Sequence, residues 1–279
     1  MCLRIFDSSN TENMYRERND VNEQQPQAQQ DIPTVKLFGV PVSKLDMTDS
    51  VRVLAEAITS RKPHQVITAN PIMIMMALDN PDYMHMMQQA EFIVPDGTGA
   101  VWAASHIGEP VAERVPGIEL MHRLFEVGER HGWRAYLLGA DPETIKEAYE
   151  RLRVQYPLMK FVGYQDGYFS EERDAEVIAK IKAAEPDLLF VGRAANNQEP
   201  WIGRYKHELG VPVMMGVGGS FDVISGRLKR APVVFQRLGL EWLHRLILQP
   251  TRWRRMLALP KFAWKVIRNR GQLRQDNLE

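Results

Sequence analysis

Short runs of β-branched and other apolar residues alternate with amphipathic stretches between residues 34 and 226. The apolar runs predict strands at residues 35–42, 65–69, 92–95, 135–138, 161–163, 188–192 and 213–217. Helical periodicity predicts helices at residues 50–59, 117–130, 142–155 and 171–183. Several strands are apolar at successive positions, as parallel strands covered on both faces are. This alternation predicts an α/β fold, a Rossmann-like sheet with flanking helices and right-handed crossovers.

The two ends of the chain differ in composition from this central region. Residues 1–33 are polar, rich in Gln and Asn and without periodicity, which predicts a disordered N-terminal tail before a core at residues 34–226. Residues 227–279 contain thirteen Lys or Arg against three acidic residues, a net charge of +10 in a chain that is neutral overall. We interpret them as a basic helical C-terminal appendage, interrupted at Pro250 and Pro260 because proline breaks the helical ladder.

The appendage also holds three tryptophans, Trp242, Trp253 and Trp264. Indole rings favour the membrane–water interface and cations favour anionic lipid, so we expect the appendage to associate with an anionic membrane surface. A solvated pair of basic helices is the alternative interpretation. Nucleic acid is not an expected partner, because the segment contains no recognised nucleic-acid-binding module.

The lengths of the apolar segments indicate the cellular location. The longest nearly pure apolar run, residues 72–78, is far shorter than the ~20 residues of a membrane-spanning helix. The N-terminal residues lack the apolar segment of a secretory signal, and Cys2 is the only cysteine. We therefore expect a cytoplasmic protein, peripheral on the inner face of the cell membrane. A homo-oligomer is compatible with the sequence.

Three polar or glycine-rich loops follow predicted strands, at the edge of the sheet where ligands of such folds bind. Thr68 and Asn70 close one strand and either cap the next helix or bind a ligand. Asp96 ends another, as a helix cap or as a general base. The third loop, residues 216–222, contains Gly218 and Gly219, whose bare amides suit phosphate.

The sequence also indicates how a nucleotide diphosphate would be neutralised. It contains no Asp-x-Asp, no His/Cys cluster at metal-ligand spacing and no Walker A motif, so we expect no metal and no cofactor. Arginines and backbone amides would then meet the charge. Arg245, Arg252 and Arg255 of the appendage and Arg114 of the core are the candidates, although Arg245 or Arg252 could instead reach lipid phosphates.

Nine collinear motifs between about Val35 and Arg270 resemble the WecG/TagA/CpsF family of bacterial glycosyltransferases, glycosyltransferase family 26. They are Thr68-x-Asn70, VPDGTG (94–99), ERVPG (113–117), YLLGA (136–140), DGYF (166–169), QEPW (198–201), GVGGSFD (216–222), RAP (230–232) and GLEWLHRL (239–246). The stretch PTRWRRMLALPKF (250–262) looks most like the branch of the family that acts in wall teichoic acid synthesis.

The resemblance implies transfer of a sugar, with inversion, from a UDP-sugar donor to an undecaprenyl-diphosphate-linked acceptor. For the teichoic acid branch the donor is UDP-N-acetylmannosamine and the acceptor is GlcNAc-diphospho-undecaprenol, which gains a β-1,4 linkage. By matched motif, Asp96 is the base, Thr68 also belongs to the catalytic set, and the appendage swings in three arginines that stabilise the leaving UDP. The implied catalytic set is Asp96, Thr68, Arg245, Arg252 and Arg255, and the implied substrate-binding set is Asn70, Arg114, Gln198, Glu199, Gly218, Gly219 and Asp222.

One loop departs from the family pattern. Residues 191–199 read VGRAANNQE, where the family usually has a second glycine, a proline and a basic residue before Gln-Glu. Two alternatives therefore stay open. One is another donor, UDP-N-acetylmannosaminuronate, UDP-glucose or UDP-glucuronate, in exopolysaccharide or capsule synthesis. The other is a non-catalytic protein that binds UDP-sugars.

Overall fold

Helices and strands alternate along residues 32–278, the part of the chain that the computed structural model describes, apart from the side chains of Ala195 and Arg237. The tail predicted at residues 1–33 lies outside this part, except for its last two residues. From Pro33 onwards the chain forms one compact unit.

Six strands form a parallel sheet in the order β4-β3-β8-β7-β5-β6. They are β3 (His64–Ala69), β4 (Phe92–Pro95), β5 (Arg134–Gly139), β6 (Lys160–Gln165), β7 (Leu188–Gly192) and β8 (Val213–Gly216). Strands β4, β7 and β8 are buried along their whole length, because helices cover both faces of the sheet. The predicted α/β fold, with helices flanking a parallel sheet, is confirmed.

The first predicted strand, residues 35–42, is wrong. The segment forms two strands, β1 (Thr34–Leu37) and β2 (Val40–Ser43), which pair antiparallel in a separate hairpin outside the main sheet. The chain reverses at Phe38 and Gly39, where φ is 54° and 84°. Gly39 adopts this left-handed conformation without steric cost, so the hairpin can turn in two residues.

The helices begin where short polar side chains can cap them. Asp46 and Asp141 accept backbone hydrogen bonds at the starts of α1 and α6, and Asn70 and Asn80 do so at α2 and α3. In chain order the helices of the core are α1 (Met47–Ser60), α2 (Pro71–Asp79), α3 (Pro81–Gln88), α4 (Thr98–Ile107), α5 (Gly117–His131), α6 (Pro142–Gln155), α7 (Asp174–Ala183), α8 (Ala195–Leu209) and α9 (Ser220–Ile224). The predicted helix at residues 171–183 begins with a 3₁₀ turn, Glu171–Arg173, before α7.

The C-terminal part of the chain is a series of short helices. They are α10 (Val233–Arg237), α11 (Glu241–Leu248), a 3₁₀ turn (Pro250–Arg252), α12 (Trp253–Met256), α13 (Ala258–Arg268) and α14 (Arg270–Gln275). Pro260 lies inside the first turn of α13. Because proline has no backbone N–H, it cannot donate a helical hydrogen bond to the carbonyl of Met256, and α12 ends at that residue. Within residues 32–278, no helix is both long enough and apolar enough to cross a bilayer.

The last two helices are docked onto the core. Phe262, Val266 and Leu273 are buried in one apolar cluster with residues of the β1–β2 hairpin, α2 and α4. The side chain of Asn277 accepts a hydrogen bond from the Lys36 backbone N–H at 2.6 Å and donates one to the Lys36 carbonyl at 3.1 Å. Both apolar burial and the hydrogen bonds of the Asn277 side chain therefore hold the C-terminus against the first hairpin.

Two aromatic residues of α13 test this docking. Phe262 is 1% exposed and Trp264 is 57% exposed on the same helix. We expect Phe262→Ala to lower the free energy of unfolding by about 3–5 kcal/mol, because it leaves a cavity in the cluster. Trp264→Ala, the matched control, should change it by less than about 1 kcal/mol. Urea denaturation followed by circular dichroism measures both, and similar losses from the two variants would contradict the docking.

Candidate active site

A cleft of about 570 Å³ opens at the carboxyl edge of the sheet. The loops that follow β3, β4, β7 and β8 line one side, because parallel strands end at the same edge. The other side is formed by residues 227–257, which we call the strap, and by the first turns of α13. Ten predicted site residues line the cleft: Thr68, Asn70, Asp96, Arg114, Gln198, Gly218, Gly219, Arg245, Arg252 and Arg255. Glu199 and Asp222 do not.

Asp96 lies at the end of β4, within the cleft. Its backbone N–H donates to the Ala69 carbonyl at 2.8 Å, which fixes the end of β4 against β3. The Gly117 N–H donates to Oδ2 of Asp96 at 3.4 Å. Burial raises the pKa of Asp96 to about 6, against the lowering effects of that N–H and of Arg114. A carboxyl group with its pKa near working pH is suited to accept a proton as a general base.

Asp96 does not cap the following helix. Gly97, with φ of 104°, occupies the N-cap position of α4, and no side chain accepts a capping hydrogen bond there. The Asp96 carboxylate is therefore directed to Gly117 at the start of α5. Thr68 packs against the same glycine, since a Cβ at Gly117 would lie 3.0 Å from Thr68 Cγ2. A side chain at position 117 would crowd Thr68, so glycine favours the close approach of α5 to this residue.

Asn70 combines the two roles that its position allows. Its Oδ1 accepts from the backbone N–H groups of Ile72 at 3.0 Å and Met73 at 3.2 Å, and thereby caps α2. Among residues 32–278 no acceptor is recorded for its Nδ2, although Asn70 lines the cleft. The amide nitrogen is therefore the atom that Asn70 can offer to a ligand.

Gln198 links two of the loops that line the cleft. Its Oε1 accepts from the backbone N–H of Arg193 at 3.2 Å and from that of Gly218 at 3.0 Å. Its Nε2 donates to Oε1 of Glu199 at 3.0 Å. The amide thus ties the loop after β7 to the glycine-rich loop after β8, and its polar atoms are engaged by protein groups.

Glu199, predicted to bind substrate, is not part of the lining of the cleft, and its carboxylate accepts hydrogen bonds from protein groups. It is fully buried, and Gln65 Nε2 donates to its Oε2 at 3.3 Å and to its carbonyl at 2.9 Å. Burial raises the pKa of Glu199 to about 7, against the hydrogen bonds from Gln198 and Gln65. Gly216 makes room for this carboxylate, since a Cβ there would collide with it.

The strap carries Arg245 to the glycine-rich loop. A Cβ on Gly219 would collide with the Arg245 guanidinium, so a glycine is required for the approach. Burial lowers the pKa of Arg245, while the nearby charges of Asp222 and Asp96 raise it. Its Nε is buried and has no hydrogen-bond partner within the described residues. Asp222 therefore acts on the cleft through the field that it exerts on Arg245.

Arg252 lies close to two other cations. Burial lowers its pKa, and the neighbouring charges of Arg245 and Arg255 lower it further. Three guanidinium groups gathered at one cleft repel one another unless an anion lies between them. The arrangement therefore favours a ligand with more than one negative charge, such as a diphosphate.

Ion pairs hold the strap to the core at its first half. Arg227 contacts both Glu143 and Glu147 of α6 at 3.0 Å. Further along, Glu241 of the strap accepts from Arg114 at 2.7 Å. Arg114 thus lines the cleft, as predicted, but it is paired with a strap residue. Thr98 adds a hydrogen bond from its Oγ1 to the Gly239 carbonyl at 3.3 Å.

The cleft also has an apolar half that the sequence did not indicate. It is contributed by α2, α4, the strap and α13: Ile72, Met73, Trp102, Leu246, Met256, Leu259 and Phe262. The run at residues 72–78 was visible as an apolar stretch, but nothing in its pattern distinguishes a cleft wall from core packing. Arg193 and Lys229 are further cleft residues that the predicted set did not include.

Across the described part of the chain, no three His, Cys, Asp or Glu side chains are grouped so that they could hold a metal ion. The cleft instead holds the half-buried carboxyl group of Asp96, the arginine-paired Glu241, and a cluster of cations that includes Arg245 and Arg252. A parallel α/β sheet with such a cleft at its carboxyl edge is suited to bind an anionic ligand.

The chain belongs to the glycosyl transferase WecG/TagA/CpsF family, whose model matches residues 35–276, and it is a glycosyltransferase. Similar proteins named N-acetylglucosaminyldiphosphoundecaprenol N-acetyl-beta-D-mannosaminyltransferase support this. That of Bacillus spizizenii W23 is 38% identical over 82% of this chain and 91% of its own length. The protein of Bacillus subtilis 168 is 36% identical over 84% and 91%, and that of Staphylococcus aureus NCTC 8325 is 33% identical over 86% and 95%.

The burial of Glu199 predicts a dependence of stability on pH. Because its pKa is raised to about 7 in the folded state, its contribution to stability is greatest below about pH 4.5 and is lost as the pH rises through 7. Glu199→Gln removes the titration, so its stability relative to wild type should rise by up to about 3 kcal/mol between pH 4.5 and 8. Urea denaturation across this range measures the difference, with the exposed Glu172→Gln as control. Parallel curves for wild type and Glu199→Gln would contradict the buried position.

Proposed function

We propose that this chain transfers N-acetylmannosamine from UDP-N-acetylmannosamine to GlcNAc-diphospho-undecaprenol, with inversion and a β-1,4 linkage, in wall teichoic acid synthesis. The names of three relatives that are 33–38% identical over most of the chain support the acceptor and the transferred sugar. The observation that carries the proposal is the half-buried carboxyl group of Asp96 at a strand end, with its pKa raised to about 6, in a cleft lined by arginines.

The proposed reaction is a single displacement. Asp96 accepts the proton of the acceptor hydroxyl as its oxygen bonds to the anomeric carbon of the donor. The bond between that carbon and the phosphate oxygen of UDP breaks on the opposite face, so the configuration inverts. Near neutral pH a carboxyl with a pKa of about 6 is mostly ionised, yet basic enough to take the proton as the oxygen becomes bonded.

The strap stabilises the negative charge that develops on the departing diphosphate. Arg245, Arg252 and Arg255 lie in the cleft with the backbone amide of Gly219, and these groups can stabilise the leaving UDP without a divalent metal. Because burial disfavours the charge on Arg245 and Arg252, binding an anion also relieves an electrostatic cost of the free protein. This coupling favours a closed cleft when the donor is bound.

We further propose that the strap and α13 face the inner surface of the cell membrane. Several large apolar side chains of this region are exposed, among them Trp253 at 53%, Leu257 at 47% and Ile267 at 58%. Cations lie among them, for example Arg268, whose guanidinium is 5.0 Å from the ring centroid of Trp264. Such mixed apolar and basic surfaces bind anionic bilayers, and the apolar half of the cleft lies beside this surface.

A transfer assay on the purified full-length protein tests the function. It uses a GlcNAc-diphospho-lipid acceptor and a panel of donors, UDP-N-acetylmannosamine, UDP-N-acetylmannosaminuronate, UDP-glucose and UDP-glucuronate, with and without EDTA. We expect turnover with UDP-N-acetylmannosamine that survives EDTA. Turnover with only another donor would overturn the proposed substrate. UDP binding without any turnover would instead favour a non-catalytic protein.

Asp96→Asn is the sharpest variant in this assay. It keeps the shape of the side chain but removes the base, so we expect turnover to fall by at least about 100-fold with an unchanged thermal unfolding midpoint. For the wild type, kcat/KM should rise with pH through an apparent pKa near 6. Asp79→Asn, at an exposed position on α2, is the control. Retained turnover in Asp96→Asn would remove Asp96 from the mechanism.

Membrane binding has its own test. The double variant Trp253→Ala/Trp264→Ala removes two exposed indoles, so we expect binding to vesicles containing phosphatidylglycerol to weaken by about tenfold or more. Co-sedimentation over a range of lipid concentrations measures it. Leu158→Ala removes an even more exposed apolar side chain, which lies beyond the end of α6, and should leave binding unchanged. Unchanged vesicle binding by the double variant, or equal binding of the wild type to neutral vesicles, would contradict the proposed membrane surface.

A further inference from the structure

Arg193 is a charged residue of the cleft to which the mechanism above gives no role. It follows β7 directly, in the loop whose sequence departs from the family pattern. Its backbone N–H is held by Gln198, and its guanidinium lies over the ring of Phe169, 4.6 Å from the centroid. Phe169 in turn packs edge-on against the buried Trp201, at 6.4 Å between centroids. The position of the guanidinium is therefore fixed by two aromatic residues.

The charge of Arg193 is not neutralised by the protein. The other core arginine of the cleft, Arg114, forms an ion pair with Glu241. No carboxylate among residues 32–278 lies within ion-pair distance of Arg193. An aromatic face holds a guanidinium in place but leaves its N–H donors free to meet an anion. A half-buried cation of this kind, in the lining of the cleft, is suited to an anionic ligand.

The strand order locates Arg193 along a bound donor. Asp96 follows β4 and Arg193 follows β7, and these strands are separated by β3 and β8. Three strand spacings of about 4.8 Å place their ends about 14 Å apart. The glycine-rich loop after β8 lies between them. A donor with its anomeric carbon near Asp96 and its diphosphate at this loop therefore has its nucleoside end toward Arg193.

We propose that Arg193 is a donor-binding residue that contacts the α-phosphate of UDP, the phosphate next to the nucleoside. This inference rests on the UDP donor of the proposed function. The strap arginines then contact the β-phosphate, through whose oxygen UDP departs. Arg193 belongs to the core, is oriented by Phe169 and Gln198, and does not depend on the strap for its position.

Binding of UDP, UMP and uridine to the full-length protein tests the proposal by isothermal titration calorimetry. We expect Arg193→Gln to weaken UDP and UMP by about tenfold or more, because a charge-assisted hydrogen bond is lost, and to leave uridine unchanged. Arg193→Lys, which keeps the charge but not the planar fork, should lose less. Arg153→Gln is the matched control, since Arg153 lies over Tyr149 at 5.6 Å on α6, away from the cleft.

Each outcome separates the two proposals. Unchanged UDP and UMP affinity in Arg193→Gln, with wild type that binds both, would overturn the inference and leave the proposed function intact. Loss of UDP affinity alone would place the contact at the β-phosphate, and an equal loss for uridine would make the effect structural; either result contradicts the proposal. Wild type that binds no UDP would overturn the proposed function together with the inference. Equal thermal unfolding midpoints establish that the variants are folded.

Discussion

The burial of the C-terminal helices against the first hairpin and α2 is the packing on which the cleft depends. Phe262, Val266 and Leu273 fix one end of the strap, and the ion pairs of Arg227 fix the other. Between these two attachments the strap passes over the carboxyl edge of the sheet. Because both ends are held, closure over a ligand involves the strap itself and does not require the whole appendage to swing.

Enclosure by the strap explains the electrostatics of the site. Desolvation raises the pKa of Asp96 and lowers those of Arg245 and Arg252, so burial opposes the charge on both kinds of group. A protein gains no stability from such an arrangement, because three neighbouring cations repel one another. In the proposed function a bound diphosphate offsets this repulsion, and the half-buried Asp96, with its raised pKa, accepts the proton of the acceptor.

The sequence predicts the fold and the polar loops of the cleft, because both follow from periodicity and from the rule that ligands bind at strand ends. The sequence does not predict which of two neighbouring side chains faces the cleft. Gln198 and Glu199 are adjacent on α8, and successive helical residues point about 100° apart, so only Gln198 reaches the cleft. The hairpin at β1 and β2 was missed because a turn of two residues interrupts an otherwise continuous apolar alternation. The apolar wall of the cleft has no local signature, since tertiary packing alone distinguishes it from core.

The central claim is that one half-buried carboxylate, Asp96, acts as the base of a single displacement. The most direct measurement is the anomeric configuration of the product, determined by NMR on the disaccharide-diphospho-lipid made by purified protein from UDP-N-acetylmannosamine. A single displacement on this α-linked donor predicts a β-linked N-acetylmannosamine. An α-linked product would require two displacements or a different route of departure for UDP, and would contradict the account.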